Sequence, residues 1–376
     1  MTPLDGAFRS LFETNMGIRA NERVLVFSDT IRADETVSAS DRDRRVRLHA
    51  TARMAAAFAA RTYGSGGFVE FPATPASGAE PPRELWLATF GADAIAELER
   101  TGLLAKLLAK QAAPDEIGTA REIILAHRHA VADVIIALSN NSTSHTRYRA
   151  LACATGTRFA SLPHFDPDMF HSSMTVDWQA LADRTARLVA AVNRAEWVRV
   201  TCPNGTDMMI CKQGRHAGGD DGLLTAPGCF GNLPAGEGYL APLEGKSHGI
   251  MVIEWAPTRK LDEPLRLFVE NGTVARIEGA DRHRAKLEAK FAEDANCRNI
   301  AELGIGTNDK ASRPDNVLEA EKILGTIHIA LGDNSGFGGR VSAPFHEDYV
   351  FYHPTVTAIM ADGSERVLID DGKMLV

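Results

Sequence analysis

Along the first half of the chain, apolar positions recur at helical spacing and are interrupted by short continuous apolar runs. Residues 4–16 place Leu4, Phe8, Leu11 and Phe12 on one face of an expected helix, and Arg23-Val-Leu-Val-Phe-Ser-Asp29 follows as a buried strand. A longer helical pattern covers 41–62, is stopped by Gly64-Ser-Gly-Gly67, and leads to a strand at Phe68-Val-Glu-Phe71. Residues 73–82, rich in Pro, Ala, Ser and Gly, read as a surface loop. Helical patterns near 92–111 and 116–129 precede Asp133-Val-Ile-Ile-Ala-Leu-Ser139, an apolar run suited to a parallel strand covered on both faces. A helix over 145–155, a strand over 158–162 and a helix over 176–194 complete the series. This alternation predicts a mostly parallel, doubly wound α/β sheet.

Near residue 195 the texture changes. Short apolar segments separated by Gly, Pro, Asn and Asp predict strands at 198–202, 207–211, 249–254 and 265–269. Asn271-Gly272 is a hairpin turn into 274–277, and 281–294 is the one clear helix. A final hairpin joins 355–360 to 366–370 around Asp362-Gly363. The expectation is two domains, an α/β domain over 1–195 and a β-rich domain of antiparallel type over 196–376.

Within the second half, Gly325-Thr-Ile-His-Ile-Ala-Leu-Gly332 alternates, so Ile327, Ile329 and Leu331 face one way while Thr326, His328 and Ala330 face the other. In Phe345-His-Glu-Asp-Tyr-Val350 the same period puts His346 and Asp348 on one face and Glu347 and Tyr349 on the opposite one. A histidine and a carboxylate side by side on a strand form a chelating pair for a divalent metal. Two more acids sit in suggestive surroundings. Glu237 lies in a Gly/Pro-rich turn where a strand begins, and Glu302 lies inside an apolar, glycine-punctuated strand, where burial without a cation is unfavourable. Taken singly, each has a plainer reading. His328 alone suits a hydrogen-bonded core histidine, His346 with Asp348 an edge-strand salt bridge, and Glu302 an Arg or Lys partner.

Composition narrows the function classes. With 376 residues, 44% hydrophobic and 24% charged, the chain has the balance of a globular protein. Its 41 basic and 49 acidic residues leave −8, which argues against a nucleic-acid or anionic-membrane surface. No apolar run approaches the roughly 20 residues that span a bilayer. The N-terminus lacks a basic region followed by an apolar one. The five cysteines are widely spaced with no CxxC pair, so a reducing, cytoplasmic setting is expected.

Several motifs together carry a family likeness. Gly231-Asn-Leu-Pro-Ala-Gly-Glu-Gly-Tyr-Leu-Ala-Pro242, Glu302-Leu-Gly-Ile-Gly-Thr-Asn308, the 325–332 strand and His346-Glu-Asp348 resemble the aminopeptidase T (M29) metallopeptidases. Met174-Thr-Val-Asp177, Arg184-Thr-Ala-Arg-Leu188 and Thr201-Cys-Pro-Asn-Gly-Thr-Asp207 fit as well. The resemblance implies a dimer of two-domain chains and a site for two divalent ions held by Glu237, Glu302, His328, His346 and Asp348. Three carboxylates and two neutral imidazoles carry −3; two divalent ions bring +4, leaving +1 for a bridging hydroxide to balance. Such a bridging water is the nucleophile of a two-metal hydrolase, and oxygen and nitrogen donors without sulfur suit Zn²⁺, Co²⁺ or Mn²⁺. The expected function is therefore an aminopeptidase acting on a small peptide or amide.

One departure bears on the substrate. The family places a tyrosine about seven residues beyond the histidine of His-x-Ala-Leu-Gly, where this chain has Ser335. Tyr352, on the His346 face if the strand continues, is a candidate substitute. Glu244 and His248 are candidates for a general base or for gripping a substrate amine. A second reading is a mononuclear non-haem Fe²⁺ dioxygenase that opens dihydroxypyridine rings. Those enzymes resemble this chain in layout and keep a pair like His346 and Asp348, but a histidine stands in place of Glu302. A third reading is a hydrolase of non-peptide amides with the same metals.

Overall fold

The computed structural model describes residues 4–257 and 259–376. The apolar runs Val24–Thr30, Val134–Ala137 and Arg158–Ser161 become buried strands, and with the more exposed edge strand Gly67–Pro72 they pair in parallel. The order across the sheet is Gly67–Pro72, Val24–Thr30, Val134–Ala137, Arg158–Ser161 and Phe230–Asn232. Leu25, Phe27, Ile135 and Phe159 enter a buried cluster with Trp86, Phe90, Ile95, Leu104 and Tyr148 from the following helices. The helix Ala39–Tyr63 also packs on the Val24–Thr30 strand, capped by the Ser38 hydroxyl and closed by Gly64 at positive φ.

Local chemistry shifts several boundaries. The helical pattern 92–111 breaks into Ala92–Arg100 and Leu103–Leu108 because Gly102 adopts φ 73° between them. A further helix, Arg83–Phe90, follows the proline-rich loop. The strand Phe230–Asn232 has too few residues and too little alternation to stand out in the sequence.

The chain divides into two compact units. One holds the residues up to Thr175 together with Gly222–Pro234; the other holds Val176–Asp221 and Ala235–Val376. This differs from a boundary at 195 in two ways. The helix Trp178–Asn193 packs on the strands Gly218–Asp220 and Glu237–Leu240 of the second unit, and residues 222–234 return to supply the first unit's fifth strand.

The second unit is antiparallel. An eight-stranded sheet runs Thr273–Glu278, Arg259–Glu270, His248–Ala256, Asp207–Cys211, Trp197–Thr201, Thr355–Ile359, Glu365–Asp370, Lys373–Met374. A five-stranded sheet runs His346–Phe351, Ile327–Gly332, Ile300–Gly306, Glu237–Leu240, Gly218–Asp220. One apolar cluster unites them, with Val198, Ile210, Met251 and Leu267 from the first sheet and Leu303, Ile305, Ile327, Ile329, Leu331 and Phe351 from the second. Each fully buried side chain of this size contributes about 1.5–3 kcal/mol, so the inward face of the five-stranded sheet pins its register. The opposite face is thereby committed to the alternate residues, which set Glu237, Glu302, His328, His346 and Asp348 among small Gly and Ala positions.

Candidate metal centre

Register places the polar residues of four strands on one face. His328 lies opposite Gly304 and Val350, Ala330 opposite Glu302 and Asp348, Gly332 opposite His346, and Glu237 opposite Gly306. The centre of this face is built from Gly304, Gly306, Ala330 and Gly332, which leaves a trough into which the longer side chains lean. A Cβ at Gly304 would collide with the His328 imidazole. A Cβ at Gly306 would meet the backbone of Lys322 and Ile323, which crosses above it.

Glu237, Glu302, His328, His346 and Asp348 come together in this trough. Donor atoms lie within 4.8 Å of one another in three groups: Glu237–Glu302–His328, Glu302–His346–Asp348 and Glu321–His328–Asp348. His328 Nε2 is 3.4 Å from Glu237 Oε2 and 3.7 Å from Glu302 Oε1; His346 Nε2 is 3.5 Å from both Glu302 Oε2 and Asp348 Oδ1. The His346 Nδ1 is 2.7 Å from the backbone carbonyl of Asp333. That bond keeps a proton on Nδ1, so Nε2, which faces the carboxylates, is the nitrogen that a metal would take in exchange for a proton. Glu237 Oε2 and His328 Nδ1 find no hydrogen-bond partner among the described residues.

The electrostatics show the same demand for positive charge. Burial pushes the Glu302 carboxyl up, against the pull of His328 and His346, and pushes Glu321 up to about 7. Burial would lower both histidines, but the surrounding carboxylates raise His328 to about 9 and His346 to about 10. Asp348, despite burial, is held well below the usual carboxylate range by His346. Protons thus serve the acids where a cation would otherwise sit. The donor set fits a divalent ion on geometry and on charge.

Other expected residues sit elsewhere. The Glu244 carboxylate is taken up by the Arg215 guanidinium, by the Arg340 backbone amide at 2.8 Å and by Asn334 Nδ2 at 3.3 Å. Burial raises its pKa but these donors outweigh that and hold it low. A carboxylate so occupied organises the loop 333–340 and is not a free base. Tyr352 lies just past the end of the strand His346–Phe351 and packs on Trp255, with ring centroids 6.3 Å apart. Burial raises its hydroxyl to about 12, and it belongs to none of the three donor groups. His248 is exposed and stands edge-on to Trp197. Ser335 turns its hydroxyl to the Asp333 carboxylate.

Four residues of the site escape sequence reading. Tyr239 shares the Glu237 face at period two, which was the available signal. Phe337 stands edge-on between Tyr239, at 6.2 Å, and His346, at 5.8 Å, so the glycine-rich loop that holds Ser335 brings an aromatic wall to the site. Glu321 and Lys322 have no local signature. Lys322 is 1% exposed, with Nζ 2.6 Å from Glu237 Oε1 and 3.0 Å from Glu321 Oε1.

Comparison with known proteins gives this site a context. A solved structure of 2,5-dihydroxypyridine dioxygenase from Pseudomonas putida KT2440 superimposes with a TM-score of 0.68 at 18% identity, covering 99% of this chain and 97% of that one. Wild-type AmpT from Thermus thermophilus gives a TM-score of 0.61 at 15% identity, covering 99% of each chain. The likeness to aminopeptidase T is therefore one of fold. No curated protein matches the chain. The family model that matches is NicX: 2,5-dihydroxypyridine 5,6-dioxygenase, over residues 91–375, which takes in every residue of the trough. The chain belongs to the NicX 2,5-dihydroxypyridine 5,6-dioxygenase family.

Proposed function

We propose that this metal-dependent enzyme is a ring-opening dioxygenase acting on a hydroxylated, pyridine-type aromatic. Membership of the dioxygenase family across the whole metal-binding unit carries the reading, and it displaces the aminopeptidase expectation. Support comes from the trough itself, where Tyr239 and Phe337 wall the space beside His346 with aromatic surface suited to a flat ring. His346, Asp348 and Glu302 would hold the ion, and the His328 ring lies 3.7 Å from Glu302. Bound Fe²⁺ supplies the one-electron chemistry that lets ground-state dioxygen react with an electron-rich ring. The protein's part is to keep the His346 Nδ1 proton on the Asp333 carbonyl, to set the acids and imidazoles within reach of the ion, and to shelter the ring from water behind Phe337.

One observation favours a second reading. The groups Glu237–Glu302–His328 and Glu302–His346–Asp348 share Glu302, which is how a carboxylate bridges two ions in a hydrolase. The two readings separate in one experiment. Protein reloaded with Fe²⁺ without oxygen, then given oxygen and 2,5-dihydroxypyridine, is expected to consume one O₂ for each ring whose absorbance is lost. Absence of oxygen uptake, with cleavage of an amino-acid anilide after loading with Zn²⁺, Co²⁺ or Mn²⁺, would establish the hydrolase instead.

A further inference from the structure

Lys322 is the least expected member of the trough. Its side chain is 1% exposed, and its ammonium lies between Glu237 Oε1 at 2.6 Å and Glu321 Oε1 at 3.0 Å. The backbone leaves it little choice of position. The short helix Val317–Ala320 ends in a turn with Lys322 N bonded to Glu319 O at 3.0 Å, and Lys322 O accepts from Asn308 N at 2.9 Å. Gly306 beneath lacks the Cβ that would push this segment away from the sheet.

The consequence concerns how many ions the centre takes. Of the two donor groups that share Glu302, one ends in His346 and Asp348, and neither of those residues makes an ion pair with Lys322. The other depends on Glu237, and one oxygen of Glu237 is already bonded to an ammonium. A divalent ion bound by Glu237 would sit beside that fixed positive charge, sharing its carboxylate. Coulomb repulsion between them is strong in a buried, poorly screened setting.

We infer that Lys322 stands in for the second cation, so that the centre binds a single divalent ion at Glu302, His346 and Asp348, while Glu237 serves Lys322. This rests on the metal-dependent reading and makes this chain mononuclear through one of its own side chains. Glu237 then shapes the corner of the trough beside His328, and is not a ligand of the resident ion.

The test counts ions and does not rely on turnover. Chelator-stripped full-length protein is titrated with Mn²⁺, bound metal is measured by elemental analysis, and the electron paramagnetic resonance spectrum reports isolated or spin-coupled ions. Wild type is expected to bind one isolated Mn²⁺ per chain, and Lys322→Met, neutral and of similar length, to bind two coupled ions. If Lys322→Met fails to fold, Glu237→Gln carries the test. It should keep one ion with affinity changed by less than about tenfold, short of the 10–100-fold loss that follows damage to a ligand's surroundings. Two coupled ions in wild type, a single ion in folded Lys322→Met, or loss of the ion in Glu237→Gln would each overturn the inference. No bound ion in any form would instead overturn the metal-dependent reading beneath it.

Discussion

Two buried carboxylates, one in each unit, are handled in opposite ways. Asp29, near the end of the parallel strand Val24–Thr30, is 3% exposed, and its two oxygens accept from the backbone amides of Asn140 at 2.6 Å and Asn141 at 3.0 Å. Glu302, in the antiparallel strand Ile300–Gly306, is 9% exposed, and its oxygens face the rings of His328 and His346. Burial raises both pKa values. The difference lies in the partners. Backbone amides are fixed donors that hold an acid as part of the architecture, whereas imidazoles and neighbouring acids form a set that a cation would complete. Burial of an acid alone therefore does not mark a site; the chemistry of what surrounds it does.

The sharpest way to break this comparison is to remove each acid. Glu302→Ala, or His346→Ala beside it, is expected to lower turnover by at least about a hundredfold and to weaken metal binding, with little change in the circular dichroism spectrum. Near-full activity in either variant would dissolve the site. Asp29→Ala should do the reverse. It leaves the buried Asn140 amide and the half-buried Asn141 amide without acceptors, which destabilises the first unit by about 2–4 kcal/mol, while metal content per folded chain stays at the wild-type value. A loss of metal in Asp29→Ala would show that the two acids are not distinct in kind.

A smaller effect separates them by pH. His328 and His346 hold their protons to about 9 and about 10 in the metal-free fold, above the ordinary histidine value of 6.5. A raised pKa stabilises the fold fully below the unfolded value and ceases to do so as pH climbs through the folded one. Glu321, raised from 4.5 to about 7, acts in the same direction over a lower window. The melting temperature of chelated protein should therefore fall between pH 7 and pH 10, and metal, by displacing the protons, should flatten that decline. A metal-free profile that is flat or rises with pH would contradict the assigned proton positions.

Much of this was legible from residue order. The split of Ile327, Ile329 and Leu331 from His328 follows from period two, and the structure buries the first three in the shared core while His328 lines the trough. The same period pairs His346 with Asp348 and sends Glu347 and Tyr349 to the other side, where they meet His283. The parallel sheet followed from apolar runs that only a strand covered on both faces tolerates. These features are local, because side-chain direction along a strand repeats every two residues whatever lies beside it.

Tertiary structure alone decided the rest. The return of residues 222–234 to the first unit, the seat of Lys322 over Gly306, the capture of Glu244 by Arg215 and the arrival of Phe337 at His346 all join residues far apart in sequence. Cross-strand register and the path of loops depend on which distant backbone groups find each other, and no local period encodes that. The sequence by itself determined which residues turn toward the trough from each strand; the packing of the sheet determined that they meet there, and which lysine meets them.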